Sequence, residues 1–541
     1  MMIYKPLKYR YVLVALLTFA PLFEVVAQSS EVDTAKYNEV KYVHVLEYLK
    51  MCNTWLSSNP ASLSLSEMHN LGNSLFYINN KNGDFYRPQE PEKSNQFGFS
   101  TENYKMLNDL RLWGKFAFHS TNEYNRNWGD VIDPYRRTPY LFADEEGGDW
   151  EKQNYELSFG ASSKKLFNLF FIGIDAHYEL HTGARQNDPR PLNNANNIWI
   201  RPGIVLPLIN KLSIGISGYY GNRNEEISTF VVNKYFQHRL YKLRGVGEYS
   251  SVYTREFFRA YNGNSFGGGL QVKHQIKNGN IIAEANVCSF NEVVTDSETQ
   301  TDGSSLYQHG GEYRETEVNA SIALKLSGDK HMHLAKGYFN MISGKGIEHS
   351  QQYDNVLEKW ITFATSVRYL GDRYQGGIAY SYFKTKSNAI DYKWMICLQT
   401  FFTSDDMRFL LPASSQKNHV LHMEVIGKKN VSIAKNPLHL SMSTGYKLSL
   451  DDELSLNPEL VNSTRTIIIE NILMPDFEYL TTDYIKLGMS AIYNFSLTKK
   501  KSNYAFVGAK ATRYHLINPD ISGGSLKNGR NFMGISIGMA Y

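Results

Sequence analysis

The sequence is poor in cysteine, with three among its 541 residues. Cys52, Cys288 and Cys397 lie more than a hundred residues apart and form no C-x-x-C pair. This spacing excludes a zinc site and a disulfide framework, and it allows one disulfide at most. Neither sign of charge dominates, because 57 Lys and Arg accompany 53 Asp and Glu for a net charge of +4. The charge balance therefore predicts no nucleic-acid partner.

Long hydrophobic runs are absent beyond the N-terminus. There, basic residues precede the apolar run 11–23, and Val25 and Ala27 supply the small residues of a cleavage site. This pattern predicts a signal peptide over residues 1–27, with an uncleaved anchor as the alternative. No later stretch approaches the ~20 apolar residues that a membrane helix needs, which excludes a helical membrane protein. A secreted soluble protein, a periplasmic enzyme and a protein that crosses a membrane as strands remain.

The sequence also has no enzyme motif in the structural context that the chemistry of that motif needs. No Walker A sequence, H-E-x-x-H or strand-flanked G-x-G-x-x-G occurs. Residues 534–538 match G-x-S-x-G, but Ser536 lies mid-strand with no helix to follow, whereas a nucleophile elbow needs a strand-to-helix turn. An outer-membrane hydrolase would need Ser, His and an acid on the outward face, and most His and acid residues are predicted to point inward. We therefore predict no enzyme, no catalytic residue and no cofactor.

Strand periodicity dominates from about residue 108 to the last residue. In 170–181, for example, one face is apolar and the other polar, since successive strand side chains point to opposite sides. Many such runs reach about 10 to 15 residues, the length that a tilted strand needs to cross a bilayer. The apolar face consists of Phe170, Ile172, Ile174, Ala176, Tyr178 and Leu180, and the polar face of Gly173, Asp175, His177, Glu179 and His181.

Short and long links alternate along the chain, as they do in outer-membrane barrels. We predict an all-β, antiparallel, up-and-down transmembrane barrel over residues 106–541, with 18 strands and with 16 as the alternative. The boundaries near 405–417 and 454–482 are not fixed by the pattern. The predicted short links are 163–168, 209–211, 277–280, 328–330, 371–373, 451–453 and 499–502. The predicted long links are 125–150, 182–196, 227–262, 294–311, 347–357 and 517–530.

Residues 28–105 have a different pattern, with a segment of helical periodicity at 37–56 followed by Pro60, Pro88 and Pro91. We interpret this region as a small N-terminal extension that forms a partial plug or lies beneath the barrel. In the alternative interpretation it supplies two further strands around 75–79 and 97–100.

Asp175, His177, Glu179 and His181 form the densest polar ladder on one predicted strand face, and we expect them to line the lumen. Imidazole and carboxylate groups also suit a divalent cation, but lining residues that hydrogen-bond to adjacent strands explain the row more simply. The pair His331 and His333 shares a face beside a predicted turn, and chance surface histidines explain it better than a metal site does. We therefore predict no metal site.

The last strand has an apolar face that ends on an aromatic residue: Met533, Ile535, Ile537, Met539 and Tyr541. This face resembles the C-terminal signal that the barrel-assembly machinery recognises in Gram-negative outer-membrane proteins. The mature chain, including Arg87-Pro88-Gln89-Glu90 and Phe97-Gly98-Phe99-Ser100-Thr101-Glu102, is similar to a family of functionally uncharacterised outer-membrane β-barrel proteins. The resemblance implies a fold and an outer-membrane location, and it transfers no catalytic residue.

From these observations we expect passage or binding of a small polar solute, or assistance to a neighbouring uptake receptor. An occluded barrel that acts as a surface interaction or structural protein is the first alternative. A secreted soluble β-protein is the second. The expected partners are outer-membrane lipid and the barrel-assembly machinery, with a neighbouring uptake receptor as a candidate.

Overall fold

The computed structural model describes residues 42–52, 58–66, 68, 70–208, 211–233, 235, 238–254, 256–299, 305–386, 391–434, 436–458, 466–497, 503–517 and 529–541. The predicted signal peptide lies outside these residues. Within them, no helix is both long and apolar enough to cross a membrane.

Strands make up most of the described chain. They are β1 (Leu71–Gly83), β2 (Lys93–Leu107), β3 (Leu110–Arg126), β4 (Phe142–Asp144), β5 (Gly148–Ser162), β6 (Phe171–Arg185), β7 (Arg190–Pro207), β8 (Leu212–Phe230), β9 (His238–Gly245), β10 (Glu248–Thr254), β11 (Glu256–Ile276), β12 (Gly279–Thr299), β13 (Ser305–Ser327), β14 (His331–Asp354), β15 (Lys359–Thr385), β16 (Tyr392–Leu410), β17 (Ala413–Ile433), β18 (Asn436–Ser455), β19 (Tyr484–Ser496), β20 (Tyr504–Leu516) and β21 (Arg530–Ala540). The helices are α1 (Val43–Cys52), a 3₁₀ helix (Pro60–Leu65), a π-helix (Ile469–Leu473) and α2 (Met474–Thr481).

In the described part of the chain, eighteen of these strands form one closed antiparallel sheet. Each pairs with its neighbours in chain order, and β21 pairs with β1 through contacts such as Ile535 with Ile78, which closes the cylinder. Strands β4, β9 and β10 form a separate small sheet. The predicted up-and-down barrel of 18 strands is therefore confirmed. We call the rim that carries Leu71 and Ala540 the near rim, and the opposite one the far rim.

The apolar faces of the strands point outward. Ile78, Ile216, Ile322, Ile378 and Met489 come from five strands around the ring, and each is 55–66% exposed. A soluble sandwich would bury such side chains between two layers. This barrel presents them as a continuous outer surface, the arrangement that hydrocarbon favours.

Two barrel strands come from the region that sequence analysis placed before the barrel. β1 and β2 lie within 28–105, so the barrel begins at Leu71 and not at residue 106. Of the described strands, those after residue 108 supply sixteen to the barrel. The two strand segments expected around 75–79 and 97–100 lie within β1 and β2.

Several predicted links are strand. Residues 371–373 lie in the middle of the 27-residue β15, and residues 451–453 lie in β18. At 405–417, where the pattern did not fix the strand boundaries, the structure has a two-residue connection at Leu411 and Pro412. Glycine and polar residues caused these errors, because they mark the inner face of a strand as well as a turn. For the same reason several far-rim links were predicted too long: the predicted link 182–196 is only 186–189, between β6 and β7.

Candidate functional site

The near half of the lumen contains the described residues between 42 and 66, which we call the lumen plug. Asn59 is fully buried and fixes the 3₁₀ helix to the barrel wall. Its side-chain Nδ2 donates to the carbonyl oxygens of Ile204 and Ile216, each at 3.1 Å, and to Gln271 Oε1 at 2.9 Å. Its Oδ1 accepts from the backbone N–H of Ala61 at 3.0 Å, which caps the helix.

Three inward glycines form the surface on which this part of the plug rests. A Cβ atom at Gly173 would lie 2.4 Å from the Ala61 nitrogen, and one at Gly203 would lie 2.3 Å from Asn59 Oδ1. At Gly215 it would lie 2.8 Å from Asn59 Nδ2. The absence of side chains on β6, β7 and β8 thus allows close backbone approach.

Helix α1 packs against the opposite side of the wall. His44 is buried, its Nε2 lies 3.1 Å from Asp391 Oδ1, and its ring stacks on His439 at 5.1 Å. Tyr48 adds ring contacts with Phe383 and Tyr392. Although burial acts to raise the pKa of Asp391, the hydrogen bond from His44 and the charge of Lys386 hold that pKa below its ordinary value.

The far half of the lumen is closed by loops that we call the cap: those between β3 and β5, β8 and β11, and β18 and β19. The small sheet β4, β9 and β10 belongs to it. Its side chains pack on inward residues of the barrel in one hydrophobic cluster. The members include Tyr140, Phe142 and Tyr241 from the loops, Tyr261, Tyr313 and Tyr369 from the wall, and Ile468, Ile469 and Leu473 from the loop before β19.

Buried ion pairs also hold the cap. Arg136 lies 2.9 Å from Glu225 and 3.8 Å from Glu292, with its guanidinium 3.9 Å above the ring of Tyr261. Burial opposes the charge of Arg136, but the carboxylates of Glu292 and Glu225 raise its pKa above the ordinary value, so it stays cationic. A buried pair of this kind is costly to break because one charge is then left without a partner.

A second buried group joins the cap to β6. Arg185 Nη1 lies 3.0 Å from Asp130 Oδ1, and its Nη2 donates to Asp144. Burial and the nearby Asp144 carboxylate raise the pKa of Asp130 well above its ordinary range. Asn193 donates to the Asp130 carbonyl oxygen at 2.7 Å, which places this loop against β7 as well.

The stretch Arg87-Pro88-Gln89-Glu90 connects three far-rim loops. Arg87 makes a bidentate pair with Asp476 of α2 at 2.6 and 2.7 Å, and its guanidinium lies 3.5 Å from the ring of Tyr135. Gln89 donates its backbone N–H to Tyr135 Oη at 2.8 Å and its side-chain Nε2 to the Trp128 carbonyl oxygen at 2.6 Å. The residues that carried the family resemblance thus fix the cap.

The predicted ladder lies between plug and cap. Gly173 contacts Ala61 of the plug, and a Cβ at Gly183, ten residues along β6, would lie 3.0 Å from Ile132 of the cap. At ~3.3 Å per residue the two contacts are about 33 Å apart along the strand. Asp175, His177, Glu179 and His181 alternate on the inward face between these levels.

The structure brings Asp175, His177 and Glu179 into contact with neighbouring strands, and His181 into contact with Glu179. Asp175 accepts two hydrogen bonds from Arg201, at 3.0 and 2.6 Å. His177 Nδ1 lies 2.9 Å from Ser158 Oγ, and its ring stacks on Trp199. Glu179 Oε1 lies 2.9 Å from His181 Nε2 and accepts from Asn154 at 3.0 Å.

Polar side chains along this stretch of the lumen remain partly exposed. The side chains of Lys115, Glu156, Glu179 and His181 are 33, 21, 25 and 27% exposed, although all face the interior of the cylinder. Inward residues at plug and cap level, such as Asn59 and Glu225, are fully or almost fully buried. We call the space between plug and cap the chamber. It is a polar compartment between two packed layers.

The remaining candidate residues lie elsewhere. Met533, Ile535, Ile537 and Met539 are exposed on the outer face of β21. Tyr541 exchanges backbone hydrogen bonds with Gly72 at 2.8 and 3.0 Å, which extends the closing pair. His331 and His333 are at the near rim, at the start of β14. Among the described residues, no three His, Cys, Asp or Glu side chains are placed to hold one metal ion.

Asn59, Arg136 and the glycines beneath the plug were not predicted from the sequence. The proline after Asn59 was a usable signal, because Asn before Pro favours the start of a helical turn. Arg136 had no such signal, since Glu225 and Glu292 are 89 and 156 residues away in the chain.

Comparisons with known proteins give a family and a set of similar barrels. The protein family described as Family of unknown function (DUF6850) matches residues 60–541. No curated protein matches the sequence. The ferric preacinetobactin receptor BauA from Acinetobacter baumannii is 9% identical, with 88% of this chain and 80% of that one covered and a TM-score of 0.40. The RagAB peptide transporter is 6% identical (88 and 87% covered, TM-score 0.41), and the outer membrane transporter YddB from Escherichia coli is 6% identical (87 and 81% covered, TM-score 0.37).

Proposed function

The chain belongs to the Family of unknown function (DUF6850), and we propose that it is an outer-membrane barrel that binds and passes a small polar solute. In this proposal the chamber is the binding compartment, the cap controls entry at the far rim, and the plug controls exit at the near rim. The near rim faces the periplasm and the far rim faces the outside. Outer-membrane lipid and the barrel-assembly machinery are its expected partners.

The water-accessible ladder is the observation that carries this proposal. A barrel with a purely structural role has no need for a wet polar layer between two packed ones. Charged side chains such as Glu179 and Lys115 keep exposed polar atoms there, with partners on adjacent strands. Groups arranged in this way replace the hydration shell of a polar solute as it enters.

The plug contacts fit a gate that opens. On the β5–β8 side the plug is held by the fully buried amide of Asn59, by hydrogen bonds with Ser162 and by close packing against glycines. On the other side His44 and the ion pair between Glu47 and Lys428 hold it. The plug also has apolar packing, but its cluster on this wall, Ala61 with Val205 and Ile282, is much smaller than the hydrophobic cluster of the cap. We therefore infer that the plug moves before the cap does.

Solute entry into proteoliposomes tests the function. Wild-type protein should swell liposomes slowly in arabinose. Gly203→Val places methyl groups where the plug packs and should accelerate swelling at least several-fold. Gly218→Val is the matched control, since Gly218 faces outward and its Cβ would meet Pro202 at an ordinary 3.6 Å. Equal, slow swelling of all three folded proteins, across solutes of increasing size, would contradict a transport role.

A second candidate is an occluded barrel that binds a partner at its surface, such as a neighbouring uptake receptor. The cap favours it, because its hydrophobic cluster and buried ion pairs make a rigid far-rim surface. In that case Gly203→Val should leave swelling unchanged. Substitutions on the exposed surface of the cap, and not in the chamber, should then abolish co-purification with a receptor after cross-linking in the membrane.

A further inference from the structure

A basic and aromatic strip crosses the outer face at the near rim, and the transport proposal does not use it. By strand register, His331 of β14 lies beside Lys384 of β15, Lys384 beside Trp394 of β16, and Trp394 beside Lys429 of β17. We call these four residues the basic strip. Directly paired side chains on one face of a sheet have Cβ atoms about 5 Å apart. Two lysines therefore flank one tryptophan at the membrane edge.

The lysines of the strip have unusual surroundings. Lys429 is exposed on a face that is otherwise apolar, and neither Lys384 nor Lys429 has a carboxylate partner within the part of the chain that the structure describes. The aromatic neighbours form an interfacial belt, with the rings of Tyr382 and Trp394 5.3 Å apart. Lysines at this depth extend their aliphatic stems along apolar surface and their charge toward headgroups.

Next to the strip, the outer surface has a concave groove of about 730 Å³. The groove runs across the six strands β16–β21, along two rows of outward residues that pair with one another from strand to strand. Trp394 and Lys429 lie at one of its edges. Small residues form its floor: Gly427, Ala491, Ala509 and Ala511. Long side chains border it: Met442, Met489, Met533 and Ile535. We call it the acyl groove.

The depth of the groove comes from missing side-chain volume. A Cβ atom at Gly427 would meet nothing within 4 Å. Gly427 pairs with Met442 on one side and Ile396 on the other, so an aliphatic residue there would continue the outward row. The open volume is long, apolar and lipid-facing, and it ends at positive charge. A hydrocarbon chain with a negative headgroup has the complementary shape and charge.

We propose that the basic strip and the acyl groove form a specific site for one phospholipid with an anionic headgroup in the near-rim leaflet. The phosphate lies between Lys384 and Lys429, Trp394 packs against the glycerol region, and one acyl chain occupies the groove. The site is independent of the chamber, so its occupancy does not depend on the transport proposal.

Native mass spectrometry of the full chain in detergent tests the headgroup part. With added phosphatidylglycerol, the wild-type protein should retain one lipid, and with phosphatidylcholine at the same concentration it should retain at least several-fold less. Lys384→Gln combined with Lys429→Gln should remove this preference. Lys345→Gln is the matched control, because Lys345 is exposed on the outer face of β14 toward the far rim. Equal retention of both lipids by the wild type would overturn the proposal, as would a dimer of the chain in place of the lipid adduct.

The groove is tested by filling it. Gly427→Leu, or Ala509→Leu as a second variant, should reduce phosphatidylglycerol retention several-fold. Ala285→Leu, on the outer face of β12, should not. Heat-modifiable electrophoretic mobility identifies folded protein in each case. Full retention by both folded groove variants would overturn the assignment of the acyl chain.

Discussion

At the scale of single residues, Asn59 combines two roles that rarely coincide. It caps a helix through Oδ1 and binds two strand carbonyls and Gln271 through Nδ2. Asn59 itself is fully buried, so the loss of these contacts would leave polar groups without partners. The position of the 3₁₀ helix therefore depends strongly on this one amide.

Asn59→Ala should loosen the plug without unfolding the barrel. Leaving buried polar groups without partners costs about 1–3 kcal/mol, and 2 kcal/mol corresponds to roughly 30-fold faster local opening. Hydrogen exchange of amides in 58–66 measures this opening. Asn222→Ala, which removes a partly exposed amide on β8, is the control. Unchanged exchange in 58–66 would show that Asn59 does not hold the plug.

A second prediction about a single residue concerns Tyr541, whose role as an assembly signal stays a prediction. Tyr541 Oη lies 3.3 and 3.4 Å from the hydroxyls of Ser74 and Thr101 on the outer face. Tyr541→Ala should lower the folded fraction in the outer membrane several-fold, while Tyr541→Phe should retain it because the ring remains. Quantification of the heat-modifiable band in membrane fractions checks this. Normal assembly of Tyr541→Ala would argue against a terminal aromatic signal.

Single residues were predicted correctly from the sequence where the geometry of one strand alone determines which face a side chain is on. The ladder from Asp175 to His181 was found because alternation fixes which side chains share a face. The partners of those residues, such as Arg201 and Ser158, were not found, since register between strands is not visible in a single strand. Asn59 and Arg87 were missed as contact residues for the same reason, because Arg87 meets Asp476 across 389 residues.

At the scale of elements, the plug has a pH-sensitive contact at Asp391. The folded-state pKa of Asp391 lies below its ordinary value of 3.8. A carboxyl group with a depressed pKa contributes stability above its unfolded-state pKa, and this contribution is lost as the pH falls through the folded-state value. Plug docking should therefore weaken as the pH falls below about 4.

Proteolysis or hydrogen exchange of α1 as a function of pH measures this effect. In Asp391→Asn, a residue that still hydrogen-bonds but does not titrate, the acid-induced increase in α1 exchange should be smaller than in the wild type. An identical pH profile in both proteins would remove Asp391 from the account.

The cap should be loosened through Arg87. Arg87→Ala removes a bidentate ion pair and a cation–π contact, which together are worth about 1 kcal/mol or more, or roughly fivefold in opening. Limited proteolysis of the 84–92 and 466–483 loops should accelerate accordingly. Lys164→Ala, which breaks an exposed pair with Asp109 at the near rim, should change nothing. Unaltered loop cleavage in Arg87→Ala would show that the hydrophobic cluster alone holds the cap.

The strands of the barrel were predicted better than its turns and the small sheet of the cap. Strand existence follows from periodicity, and the total of 18 was predicted, although two of the strands, β1 and β2, precede the predicted barrel. The alternation of short and long links follows from the antiparallel topology. The turns expected at 371–373 and 451–453 were wrong because lumen-facing glycine and polar residues imitate turn composition. The cap sheet β4, β9 and β10 was not predicted at all, because its strands are short and pair within loops.

At the scale of the whole molecule, the barrel separates its interactions by layer. Aliphatic side chains cover the outside, and the described part of the chain has its largest hydrophobic cluster inside the far half of the lumen. Between cap and plug the wall is polar. The sequence indicated the outer layer through alternation, but the closed ends arise from long-range contacts that no local pattern records.

Thiol labelling at Cys288 is the most direct test of a closed, wet chamber. Cys288 is an inward residue of β12, whereas Cys52 and Cys397 are buried where plug and wall meet. In a chain with Cys52→Ala and Cys397→Ala, a membrane-impermeant charged thiol reagent should label Cys288 slowly, and Gly203→Val should raise the rate at least several-fold. Rapid labelling without Gly203→Val would contradict the closed ends, and an unreactive Cys288 in both folded proteins would contradict the wet chamber.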